Sequence, residues 1–142
     1  MTACSDASDC DDGDPCTADV CDPSNALGDL GGCVRDRHGF LAVACRLRGK
    51  TNGVACGDHV HRGFRRRVVH ALVRASELVK RAATQVHRRR AMLRRAGSIL
   101  GRISKRLVHV AARSPSPTMR CLLGLKDELA AMQAEVRALR SL

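Results

Sequence analysis

The sequence predicts a mainly α protein: a small, irregular, disulfide-rich module at the N-terminal end, followed by an antiparallel bundle of two or three long helices. Three observations predict it. Six of the eight cysteines fall within the first 45 of 142 residues. After Gly63, apolar residues recur in alternating steps of four and three. Only Phe40 and Phe64 are aromatic, so any core is built from Leu, Val, Ile, Ala and Met, which suits helix packing better than a sheet sandwich. The implied division is 1–58 for an acidic disulfide-rich module and 59–142 for a basic helical hairpin or three-helix bundle.

The first 25 residues lack hydrophobic periodicity and are dominated by Asp, Ser, Gly, Pro and Cys, the composition of turns. Residues 26–58 are mixed and punctuated by glycine, and the run Phe40-Leu41-Ala42-Val43-Ala44 reads as a strand or a single helical turn. An even number of cysteines at this density is the usage of an oxidising compartment, where small modules use disulfides in place of a core. A secreted or extracellular location follows, at the cell surface or in a periplasm. No signal peptide is visible, since Met1 is followed at once by Thr2, Ala3 and Cys4. Cys4, Cys10, Cys16, Cys21, Cys33, Cys45, Cys56 and Cys121 are all disulfide candidates. Spacing leaves their connectivity open. A bond from Cys121 to Cys56 or Cys45 would fasten the module to the bundle and close a long loop.

The segment Cys10-Asp11-Asp12-Gly13-Asp14-Pro15-Cys16-Thr17-Ala18-Asp19-Val20-Cys21 is the most distinctive in the chain. It resembles the C-x-D-G-[ND]-P-C-T-x-D-x-C repeat of extracellular slime-mould proteins and of secreted proteins from GC-rich delta-type bacteria. The resemblance covers about 20 residues, in a single copy. It implies a matrix or surface module, a class of which some members are associated with extracellular polysaccharide. Read for its chemistry alone, Asp12-Gly13-Asp14-Pro15 is a turn: Gly permits positive φ, Pro fixes φ, and Asp side chains accept from nearby amides.

Two metal readings arise here. Asp9, Asp11, Asp12, Asp14 and Asp19 place five carboxylates within eleven residues, and calcium wants oxygen ligands. The spacing does not fit an EF-hand, and turn-and-cap carboxylates are the plainer reading. Cys56, His59 and His61 could supply zinc ligands, but a closed structural site needs four N or S donors. A disulfide at Cys56 and surface histidines opening a helix are the alternative.

Along the basic half the seam runs Val68, Leu72, Ala75, Val79, Ala82, Val86, then Leu93, Ala96, Leu100, Ile103, Leu107, Val110, with Arg89 in the one seam position between. This 3.5-residue period is that of a helix packed in a coiled-coil-like bundle. As one helix, residues 64–112 would span roughly 70 Å, more than the last helix can cover. A split near His87-Arg88-Arg89-Arg90 gives three comparable helices, although no Gly or Pro sits there. Ser114-Pro115-Ser116-Pro117 breaks the pattern, with Ser116 as N-cap and Pro117 in the first helical position. A last stripe follows at Leu122, Leu125, Leu129, Met132, Val136 and Leu139. The small residues Ala96, Gly97 and Gly101 fit a close helix crossing inside the bundle.

The net charge of +11 hides an asymmetry: residues 1–45 hold nine Asp and two Arg, whereas residues 59–113 hold sixteen Lys or Arg and one acid, Glu77. The runs Arg65-Arg66-Arg67, Arg88-Arg89-Arg90 and Arg94-Arg95 are the candidate polyanion-binding residues. Such a surface attracts phosphate or sulfate polymers by counterion release. With no specific nucleic-acid module and no aromatics to stack bases, nucleic acid would bind only non-specifically. GC-rich coding alone would also inflate Arg. No arrangement sets a base beside a nucleophile, and no glycine loop cradles phosphate. The expected protein is therefore secreted and non-catalytic, a structural or binding protein such as an accessory subunit of a surface assembly. The alternative is a polyanion-binding protein acting through its arginine-rich helices. Neither a catalytic residue nor an organic cofactor is expected, calcium is the favoured candidate ion, and no membrane span is expected.

Overall fold

The structure is a computed structural model and describes residues 4, 10, 13, 16, 18–21, 33–36, 39–53, 56 and 60–142. Four helices carry the fold: α1 (Phe40–Gly49), α2 (Arg62–Ala82), α3 (Arg89–Ala112) and α4 (Ser116–Ala138). The three long ones follow the seams read from the sequence. Val68, Leu72, Ala75, Val79 and Ala82 of α2 are fully buried, as are Leu93, Ala96, Leu100 and Leu107 of α3. Leu122, Leu129 and Val136 of α4 close the same core. Phe40 and Phe64 only flank it, so the core itself is aliphatic.

The run at Phe40–Ala44 is neither a strand nor a single turn. It opens the ten-residue helix α1, whose Val43, Ala44 and Leu47 enter the bundle core, although this segment falls within the division assigned to the acidic module. The contacts of α1 set its direction. Arg46 pairs with Glu135, Lys50 reaches Glu128 at 3.0 Å, and Cys56 is bonded to Cys121. As this segment advances, its partners on α4 recede, so it runs antiparallel to α4. Short connections make α2, α3 and α4 antiparallel to their neighbours in turn. The bundle is therefore up-down-up-down, with α1 as a short fourth member packed mainly on α2.

The chain turns between α2 and α3 without Gly or Pro, a few residues earlier than the Arg88–Arg90 cluster suggests. Val86, a seam residue by spacing, is 65% exposed in a short 3-10 turn, Val86–Arg88. Arg89 explains the break. Its Nε donates to the Ala82 carbonyl at 2.9 Å and an Nη to the Ala83 carbonyl at 3.1 Å. These are carbonyls at the end of α2 that lack intrahelical partners. The same guanidinium lies over the Phe40 ring, 4.7 Å from its centroid. A continuous helix would instead place this charge in an aliphatic seam, at a cost of several kcal/mol unless paired.

The α3–α4 contact is the most extensive in the bundle. Gln133 of α4 donates to the Gly97 carbonyl at 3.1 Å, and its amide lies 3.1 Å from where a Cβ on Gly101 would stand. The small residues thus mark a helix crossing inside the bundle. Ser114 Oγ donates to the Val110 carbonyl at 2.7 Å and ends α3. The last helix starts at Ser116 with Pro115 as N-cap, one residue earlier than expected, so Pro117 is its second residue.

Ahead of the bundle, β1 (Ala18–Cys21) pairs antiparallel with β2 (Cys33–Asp36), with Cys21 opposite Cys33. Two four-residue strands with no alternation leave too little pattern to be read in advance. Gly13 has φ +76°, a left-handed conformation that glycine adopts without steric cost. Disulfides tie the pieces together. Cys4–Cys21 holds the start of the chain to β1, Cys16–Cys45 holds the acidic segment to α1, and Cys56–Cys121 holds the α1–α2 connection to α4. The last closes a separation of 65 residues, worth about 4 kcal/mol on chain entropy.

Two substitutions test this account by chemical denaturation. Arg89→Ala should cost about 2 kcal/mol through its lost carbonyl bonds and ring contact, and Arg89→Lys should recover less than half. Gly97→Ala should stabilise by up to about 1 kcal/mol, because a Cβ there meets nothing closer than 3.9 Å and glycine is a poor helix former.

Candidate anion-binding surface

Helix α2 begins with His61, whose ring Nδ1 accepts from the Gly63 amide at 3.0 Å and caps the first turn. Its other side chains divide by the seam. Val68, Leu72, Ala75 and Val79 face inward, which turns Arg66, Arg67, His70 and Arg74 to solvent. On α3 the seam residues Leu93, Ala96 and Leu100 likewise turn Arg94, Arg95, Arg102, Lys105 and Arg106 outward.

Folding α2 against α3 brings two rows of these cations together. A groove of about 280 Å³ lies between the helices, with Arg67, His70 and Arg74 on one wall and Arg102 and Arg106 on the other. Ile99 and Ile103, each 8% exposed, form its floor. Among the described residues no acid lines it and none of its four arginines makes an ion pair. Glu77, the one acid of the basic stretch, is exposed on α2 outside it. Four uncompensated guanidiniums around a concave surface focus a positive field. Each offers a planar fork of donors matched to carboxylate, sulfate or phosphate.

The arginine runs named from sequence are dispersed by the fold. Arg67 lines the groove, Arg66 is exposed beside it, and Arg65 is half-buried. Arg88, Arg90, Arg94 and Arg95 are exposed at and beyond the α2–α3 turn. Arg89 is turned inward onto α2 and Phe40. The runs named as polyanion-binding leave out Arg74, Arg102 and Arg106, of which only Arg106 stands in a basic pair, Lys105-Arg106. Their signal is periodic: Arg67 and Arg74 stand seven residues apart, Arg102 and Arg106 four, each pair on one helix face.

The metal readings fare differently. Asp9, Asp11, Asp12 and Asp14 lie outside the described residues, as does the side chain of Asp19, whose backbone is in β1. The Cys56, His59, His61 zinc set is overturned at Cys56, whose sulfur is bonded to Cys121, and His61 is the cap of α2. The sulfurs of Cys4, Cys10 and Cys21 lie within 4.8 Å of one another, but all three are in disulfides and offer no thiolate. No described cysteine is free. No described helix is long and apolar enough to cross a membrane.

No protein-family model, curated protein or solved structure matches this chain.

Unpaired arginines facing one another repel, and salt screens them. Thermal melts should show the protein gaining stability as sodium sulfate is added at low ionic strength. The double variant Arg74→Gln/Arg102→Gln should gain less than half as much.

Proposed function

We propose that the chain is a secreted, non-catalytic binding protein, an accessory subunit of an extracellular or surface assembly, that engages an acidic partner through its helical bundle. The observation that supports this most is the α2–α3 groove, where among the described residues four arginines stand with no acid beside them and without ion pairs. Such a cluster raises the energy of the isolated protein and is relieved by an anionic ligand.

An oxidising location is supported by the pairing of the described cysteines, including a bond that spans 65 residues. The resemblance of the Cys10–Cys21 segment to extracellular repeats points the same way.

Intact mass under non-reducing conditions, with and without alkylation, tests the compartment. The eight cysteines should give a mass eight hydrogens below the reduced chain and take up no alkylating agent. Several free thiols in protein prepared without reductant would overturn the secreted reading. Retention on a sulfated column tests the surface. The protein should elute well above the salt needed for a control basic protein of equal net charge, and co-elution with that control would count against a built acidic-partner site.

A further inference from the structure

Resting on the reading that the bundle binds an acidic partner, we propose that the α2–α3 groove is the seat of that partner, and that the ligand is a single extended chain of a sulfated polysaccharide. The groove is flanked by arginines on both walls. Arg67 and Arg74 are two helical turns apart, about 10 Å, and Arg102 and Arg106 about 6 Å. Charges so spaced fit anions separated by a sugar ring rather than a polymer with an anion on every link.

The floor decides between ligand classes. Ile99 and Ile103 are each only 8% exposed, so an acyl chain would gain little apolar area there. A lipid is therefore disfavoured. Inorganic polyphosphate, with an anion on every link, is disfavoured by the wider spacing of the arginines. Single-stranded nucleic acid would want Phe, Tyr or Trp rings for its bases, and among the described residues none of these lines the groove.

The test is titration of the full-length oxidised protein with a heparin hexasaccharide near physiological salt, followed by calorimetry or fluorescence anisotropy. Two double variants with the same charge change are compared: Arg74→Ser/Arg102→Ser in the groove and Arg88→Ser/Arg90→Ser at the turn. All four side chains are exposed, so neither variant should melt below the parent, and the groove variant should melt at or above it as repulsion is relieved. The groove variant should lose roughly tenfold or more in affinity and the turn variant less than about twofold. Four contacts predict that log Kd rises with log salt at a slope of about 3, falling to about half in the groove variant.

Equal losses in the two variants would overturn the inference, leaving only a diffuse cationic field and the broader reading intact. Tighter binding of polyphosphate or of single-stranded DNA of matched charge would overturn the choice of ligand. Binding of none of these polyanions by the parent would sink the broader reading as well.

Discussion

The fold depends on where one guanidinium goes. The aliphatic seam of the basic half is interrupted once, at Arg89, and a straight helix would hold that charge against leucine and valine. The chain instead bends back after Ala82, and Arg89 bonds the carbonyls that the bend exposes while lying over Phe40 of α1. One side chain thus ends α2, opens α3 and anchors the start of α1. The groove is a consequence. On a single rod Arg74 and Arg102 would stand about 40 Å apart, whereas the hairpin makes them opposite walls of one slot.

A core of aliphatic residues with the aromatics at its edge is easily filled but weakly specifying. The polar and covalent links along α1 and α4 supply register. Arg46–Glu135 and Lys50–Glu128 hold successive levels of the short helix against α4, and Cys56–Cys121 fixes the level below. The two ion pairs are partly exposed and individually weak. The disulfide differs in acting on the unfolded chain, by removing the freedom of a loop that contains all of α2 and α3. The Cys16–Cys45 bond then hangs the acidic segment on α1, so the two oppositely charged parts of the chain are joined at the bundle's shortest helix.

Much of the bundle was legible because burial imposes a period. Leu72, Val79, Leu100, Leu107, Leu129 and Val136 all lie on the stripes read from spacing, and all are fully buried. What escaped was structure made by partners distant in sequence. Helix α1 has only ten residues and reads as a helix only once α2 covers Val43 and Leu47. The β1–β2 hairpin pairs segments too short to carry a pattern. Val86 continued the period yet lies exposed, because the cost of burying Arg89 outweighed one valine. The arginine runs were visible, but the groove draws on positions seven and four apart on two helices, and only the hairpin brings them together.

Native-state hydrogen exchange across residues 78–95 tests the turn most directly. The amides of Ala83, Thr84 and Gln85 are bonded back to α2, whereas no backbone bond is made by the amides of Val86 and His87. The account predicts fast exchange at Val86 and His87 between two protected segments. Uninterrupted protection from Val79 to Leu93 would mean one continuous helix, and would contradict both the role given to Arg89 and the groove that depends on it.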